Sequence, residues 1–391
     1  MSEPADLSTT FEPSLDADAE HDFGSASEPL GFEVDYALES LIEQSAGLSS
    51  IRDHIRLCVS VLRAHDVFVG HGGTDHFSEA AAMVLHTLNL TWSADPEILD
   101  ARLMPIEKDQ VLKLLSARVQ TRKPLSYLIN LSYFCGLPFY VDERVLIPRS
   151  PIAELINKRF APFFTQNASA SQTQVGDQDV DHGFDHGFDH GLPALGLPYP
   201  EQMLDLCTGS GCIALALANV FVDAAVDAVD IDDDALEVAA INIDHHAKGF
   251  QVNLIKSSLF ERVSADNQYG LIVTNPPYVD AEDMSELPPE IQHEPELALA
   301  AGHDGLDLVH HILNDAPDYL TEQGLIVVEV GNSEWAMRQS YPEVPFHWLK
   351  FEKGGTGIFA LTREQLIEHR AQFAGHAAAC PVPETGADNQ F

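Results

Sequence analysis

Apolar residues recur at helical spacing from Val34 to about Val67: Leu38, Leu41 and Ile42, then Ile51, Ile55, Cys58 and Leu62. A glycine-rich loop, Gly70-His71-Gly72-Gly73, follows, and Thr74 or Asp75 is suited to cap a further helix carrying Ala80, Ala81, Val84 and Leu88. The pattern predicts another helix from about Ile106 to Thr121, with Val111, Leu114, Leu115 and Val119 on one face and Pro124 just beyond its end. Residues 34–124 therefore read as a small helical domain. From Leu125 to about Val145 the residues become β-type, broken by Gly136, Pro138 and Asp142, which predicts a hairpin. Pro148 and Pro151 bracket a turn ahead of a short helix from Ile152, so 125–165 reads as a hairpin linker and helix.

From Gln202 onward strand and helix patterns alternate. Strand-like runs are Met203–Leu206, Ala225–Asp230, Val252–Ile255, Leu271–Thr274 and Leu325–Val330, with helices from Cys212, Asp234 and Leu306. Such alternation predicts an α/β fold with a parallel, doubly wound sheet over 200–365. Residues 341–350 and 356–361 fit a C-terminal pair of antiparallel edge strands. Three stretches lack periodicity. Residues 1–33 read as a disordered acidic tail, 166–199 as a low-complexity insertion with Asp-His-Gly units starting at Asp181, Asp185 and Asp189, and 366–391 as a C-terminal tail. The repeated Asp-His pairs have metal-ligand chemistry, but nothing in a floppy repeat fixes their geometry, and no metal is expected.

Composition narrows the function classes. The formal net charge is -40, from 61 Asp and Glu against 21 Lys and Arg. That balance repels phosphates, disfavours direct DNA binding and attracts a basic protein. No apolar run reaches the roughly 18 residues of a membrane helix, and the acidic start is no secretory signal. Five scattered cysteines suggest reduced thiols, and with the rest a cytoplasmic protein.

Two motifs carry chemistry. In the first, Asp205 and the turn Gly209–Gly211 lie between a strand and a helix, at the sheet edge where open α/β folds bind ligands. Asp230 closes the next strand, about 20 residues on, where a ribose-binding acid belongs; its carboxylate accepts from both ribose hydroxyls. Asp205 suits a ligand bearing an ammonium and a sulfonium better than a pyrophosphate, which it would repel. The second motif, Asn275-Pro276-Pro277-Tyr278, follows the fourth strand directly. Consecutive prolines stiffen the corner. The Asn275 amide oxygen and the Pro276 carbonyl can together accept both hydrogens of a planar NH2 group, and Tyr278 can wall it by stacking.

Together these motifs resemble the class I S-adenosylmethionine-dependent amino-methyltransferases, two groups of which act on glutamine amides. Further segments resemble the group that modifies ribosomal protein uL3: Gly70 through Phe77, Phe134–Arg144, Leu146-Ile-Pro-Arg-Ser-Pro151, Asp205–Cys212, Glu294-Pro-Glu-Leu297 and Asp304-Gly305. The likeness runs from about Val34 to Glu368 apart from the insertion. It implies a Rossmann-like, seven-stranded methyltransferase domain joined by a β-hairpin linker to a helical domain that recognises the substrate. It implies S-adenosylmethionine as methyl donor and uL3, free or in early assembly intermediates, as partner. Cys207, Thr208, Gly209, Ser210 and Gly211 would line the donor's methionine end and Asp230 its ribose. Ser258 and Leu259 would lie beside its adenine, and Asn275, Pro276, Pro277 and Tyr278 would grip the glutamine. Two positions depart from the wider class: Cys207 stands where glycine is frequent, and Ser258 where aspartate is common. The alternatives are the release-factor glutamine methyltransferases, with the same chemistry, an adenine-N6 DNA methyltransferase, which needs a basic groove, and a non-catalytic donor-binding module of ribosome assembly.

Overall fold

A computed structural model describes residues 36–70, 75–165, 195–352 and 354–380. The acidic start, residues 71–74, the Asp-His-Gly units and the last eleven residues lie outside them.

The helical domain holds α1 (Tyr36–Gln44), α2 (Ile51–Ala64), α3 (His76–Thr87) and α4 (Pro105–Thr121). Each start has a local cause. Ser50 and Asp53 form a capping box on α2. Asp75 accepts from the Phe77 and Ser78 N–H groups on α3, and Pro105 begins α4, where its missing N–H costs nothing. Their apolar faces meet in one core that includes Ile55, Cys58, Leu62, Val84 and Leu115.

A single turn, α5 (Leu125–Leu128), leads to the hairpin β1 (Ser132–Phe134) and β2 (Leu137–Phe139). Cys135 and Gly136, at φ 51° and 76°, make its two-residue turn, whose left-handed backbone matches strand twist. The linker ends with α6 (Ile152–Asn157).

The remaining strands are β3 (Gln202–Leu206), β4 (Ala225–Asp230), β5 (Val252–Lys256), β6 (Tyr269–Thr274), β7 (Leu320–Glu329), β8 (His347–Trp348) and β9 (Ile358–Thr362). They form one seven-stranded sheet in the order β5-β4-β3-β6-β7-β9-β8. β3 to β7 run parallel, and β9 runs antiparallel to both of its neighbours, β7 and β8. The helices are α7 (Cys212–Val220), α8 (Asp233–His245), α9 (Ala281–Glu286), α10 (Asp307–Tyr319), α11 (Glu334–Ser340), α12 (Arg363–Glu368) and α13 (Arg370–Ala377). Strand alternation divides the interior: Met203, Leu271, Val273, Leu325 and Val327 face the core shared with α6, α7 and the hairpin. Leu204, Leu206, Ile272, Ile326 and Val328 face the core shared with α10, α12 and α13. Chain order reverses between β3 and β6, which places the switch point of the sheet where the two motifs end.

Three sequence expectations need correction. Of the edge pair, only residues 347–348 of 341–350 are strand, and β9 lies inside the sheet between β7 and β8; Tyr341 is instead buried against Phe373. The insertion is shorter than 166–199, because 195–199 already belong to the fold: Leu197 exchanges backbone hydrogen bonds with Phe163 and Thr165, and Tyr199 packs edge-on against Phe221. Residues 366–377 are no tail, since α12 and α13 bury Leu366 and Phe373 completely and Arg370 pairs with Asp318. A Phe373→Leu substitution is therefore expected to destabilise the chain by about 1 kcal/mol. An unchanged midpoint in equilibrium denaturant unfolding would return this segment to the status of a tail.

Candidate active site

Parallel register brings the chemistry-bearing residues into one row. Leu206 pairs with Val229 on one side and Thr274 on the other, and Thr274 Oγ1 donates to the Leu206 carbonyl at 2.9 Å. Asp230 pairs with Lys256 and Glu329 ends β7 next to the Thr274 pair Val328. The residues just beyond these ends, Ser257–Leu259, Cys207–Gly211 and Asn275–Tyr278, are thus neighbours along one sheet edge.

The glycine turn is built on Asp205. Its carboxylate is fully buried, and Oδ2 accepts from Thr208 Oγ1 at 2.6 Å and the Ala214 N–H at 3.0 Å. Gly211 is the N-cap of α7 and has no side chain with which to cap it, so Asp205 supplies that acceptor from the strand below. Burial pushes the Asp205 carboxyl up to about 7 in the ligand-free chain. Cys207 adopts φ 61°, the left-handed region in which glycine is at ease, so its departure from the wider class is a mildly strained cysteine in a glycine-type backbone. The space over Gly209 is open: a Cβ there would meet nothing within 4 Å, whereas one on Gly211 would press on Ala239 at 3.3 Å.

Asp230 braces the turn from the next strand. Its Oδ2 accepts from the Gly209 N–H at 2.8 Å and its Oδ1 from the Asp232 N–H at 3.1 Å, and burial raises its pKa. Each oxygen keeps a second acceptor site. Asn242 of α8, which sequence reading missed, donates to the Ser210 carbonyl at 2.9 Å while exchanging two bonds with the Tyr140 backbone. It thereby ties the linker to the turn. Ser258 and Leu259 are buried at the end of β5, Leu259 with φ 45°.

The Asn275–Tyr278 corner is held from below. Pro276 and Pro277 are buried. The Tyr278 carbonyl accepts from Ser333 Oγ at 2.9 Å, and its hydroxyl donates to Glu329 Oε1 at 3.1 Å. Glu329 is buried, its pKa raised by burial, and its other oxygen accepts from Ser150 Oγ of the linker. Gly331 lies so close that a Cβ would stand 2.4 Å from the Tyr278 ring. Beside the corner, Arg149 grips Glu294 with both arms, Nη2 at 2.7 Å. The Ser150 to Glu329 link had no local signal, the two residues being 179 positions apart.

Three buried oxygens of this edge have no hydrogen-bond partner: Asp205 Oδ1, Ser210 Oγ and Asn275 Oδ1. An acceptor left so is costly unless a ligand completes it. A cationic ligand along the turn and an NH2 donor at the corner would satisfy this set. Away from the row, Asp75 caps α3 as expected and His76 Nε2 lies 3.0 Å from the Val67 carbonyl, while His71 lies outside the described residues. Cys207 and Cys212 are free thiols.

The family model for the methyltransferase small domain matches residues 181–294. A ribosomal protein uL3 glutamine methyltransferase of Francisella tularensis is 41% identical over 326 residues, which are 83% of this chain and 94% of that protein. Its counterpart in Neisseria meningitidis is 40% identical over 320 residues, 82% of this chain and 95% of that one. A solved human methyltransferase 10 domain containing protein aligns with 58% of this chain and 88% of its own at 19% identity, with a TM-score of 0.36.

Proposed function

The chain belongs to the family of ribosomal protein uL3 glutamine methyltransferases, and from that premise we propose that it methylates the side-chain amide nitrogen of a glutamine in uL3, met free or in early assembly intermediates. The observation that carries this reading is the buried, unpartnered Oδ1 of Asn275 on a proline-stiffened corner, next to the glycine turn.

When bound, S-adenosylmethionine supplies a methyl group made electrophilic by its sulfonium. The residues present fit it. Asp205 Oδ1 and Ser210 Oγ offer acceptors at the methionine end, with Cys207, Thr208, Gly209 and Gly211 lining it. Asp230 has lone pairs to spare for the ribose hydroxyls, Ser258 and Leu259 would flank the adenine, and Asn275 would border both ligands.

The nucleophile is a poor one, because an amide nitrogen shares its lone pair with its carbonyl. Asn275 Oδ1 and the Pro276 carbonyl accept its two hydrogens, return density to nitrogen and fix its direction. Pro277 keeps the corner rigid, and the Tyr278 ring, held by Glu329, walls the planar amide. Alignment of this kind contributes on the order of 7 kcal/mol or more. No strong base is required: as the N–C bond forms and the S–C bond breaks, the positive charge passes to the nitrogen, whose surplus proton is released through the acceptors that hold it, Asn275 Oδ1 or the Pro276 carbonyl, and from there to solvent. A chain of net charge -40 suits a basic protein as substrate.

The test is incubation with methyl-labelled S-adenosylmethionine and either free uL3 or a release factor, followed by mapping of the label by mass spectrometry. One labelled glutamine in uL3 is expected. Label on the release factor alone, or on neither protein, overturns the reading.

A further inference from the structure

A group of four charges, three of them buried, joins the helical domain to the catalytic corner. Arg118, in the last turn of α4, is fully buried. It donates from Nε to Glu79 Oε1 and from Nη2 to the Phe68 carbonyl, both at 2.7 Å, and from Nη1 to the Arg122 carbonyl at 3.1 Å. The fourth member, Glu290, comes from the methyltransferase domain and is 1% exposed. Its Oε1 accepts from the Phe68 N–H at 3.0 Å and lies 3.4 Å from Arg122 Nε and 3.8 Å from Arg118 Nη1.

Glu290 belongs to the segment that follows α9, and its neighbours extend the junction. His293 Nε2 lies 2.9 Å from the carbonyl of Thr121, the last residue of α4. Glu294 takes Arg149 of the linker and accepts from the Ile147 N–H at 3.3 Å. The segment then returns to the catalytic corner: the Val279 N–H donates to the Leu299 carbonyl at 2.8 Å and the Ala301 N–H to the Val279 carbonyl at 3.0 Å, one residue after Tyr278. One short stretch therefore touches the helical domain, the linker and the amide-binding corner.

A junction of this kind is a poor source of net stability, because desolvating the ions offsets most of their attraction. What it does supply is a fixed geometry, since a displaced Glu290 would leave Arg122 without its carboxylate, held only by the His65 and Asp66 carbonyls, and take Phe68 with it. Phe68 lies seven positions before Asp75, the N-cap of α3.

We propose that Glu290 is a positioning residue that sets where a protein docked on the helical domain presents its glutamine to the Asn275–Tyr278 corner. The proposal rests on the reading of the substrate as a protein. Glu290→Gln keeps the shape and the acceptor for Phe68 but removes the carboxylate paired with Arg122 and the second negative charge beside Arg118. The expected result is a KM for folded uL3 raised about tenfold with kcat little changed, because the chemistry is intact and only its presentation is disturbed. Turnover of a short peptide carrying the mapped glutamine, and S-adenosylmethionine affinity by calorimetry, should stay within about twofold of native. His293→Ala, at a half-buried position, should move the same ratio in the same direction by less and guards against misfolding of the first variant. Equal losses on peptide and protein, or native kinetics on both in either variant, would overturn the proposal while leaving the methyltransferase reading intact. Native enzyme that labels no glutamine of uL3 would overturn both.

Discussion

Asn275→Ala is expected to cut turnover of uL3 about a thousandfold while leaving S-adenosylmethionine affinity within about tenfold of native. The asymmetry follows from what Asn275 touches. On the proposed reading the donor is held mainly by the glycine turn, Asp205 and Asp230, none of which depends on the Asn275 side chain for a hydrogen bond. The substrate amide would, in contrast, have two acceptors, one of them Asn275 Oδ1. Removing it leaves one amide hydrogen without a partner in a dry site, lets the amide rotate about its remaining bond and returns the nitrogen lone pair to its carbonyl. Each effect is felt more in the transition state than in the bound ground state, so the loss falls on kcat. Single-turnover transfer of labelled methyl, with calorimetry for the donor, separates the two quantities. Turnover within about tenfold of native would show that the Pro276 carbonyl suffices and that Asn275 is only a corner residue.

The residues of that corner were readable from the chain because each motif is local. Asp205 through Gly211 lie within seven consecutive positions, and Asn275 through Tyr278 within four. Strand alternation then supplies their juxtaposition, since residues that end adjacent parallel strands must share an edge. The supports were not readable for the converse reason. Ser150 reaches Glu329, Asn242 reaches Tyr140 and Ser210, and Glu290 reaches Phe68 across 222 positions, and no periodicity reports a single polar residue's distant partner.

The C-terminal helices were missed for a related reason. Two buried apolar anchors, Leu366 and Phe373, sit among polar residues, and what makes them structural is the groove that α10 offers. Likewise Leu197 gives no signal beside a low-complexity run until Phe163 supplies its pairing partner. Glycine logic had the opposite fate. Cys207 stood out in the sequence as a departure, and its φ of 61° accounts for why glycine is frequent there without making cysteine impossible.

The second large effect concerns Asp205, whose replacement by asparagine should separate stability from donor binding. In the ligand-free chain burial lifts this carboxyl from its ordinary 3.8 to about 7, against the opposing bonds from Thr208 and Ala214. The folded value lies above the unfolded one, so as pH rises the unfolded chain releases this proton first. The stability that Asp205 contributes is therefore full below about 4 and is lost progressively up to about 7. A bound sulfonium and ammonium reverse the preference by favouring the carboxylate, so donor affinity should climb with pH through that same window. In Asp205→Asn the amide oxygen can still accept from Thr208 and Ala214, and no charge remains to be buried. The variant should unfold at an equal or higher temperature than native at pH 8 without ligand. It should also bind S-adenosylmethionine about a hundredfold more weakly, with a flat pH dependence. Thermal scans and calorimetric titrations between pH 5 and 8 read both quantities. Native-like affinity in the variant would reduce Asp205 to a helix cap, and a lower unfolding temperature would mean that its charge stabilises the turn even when no donor is present.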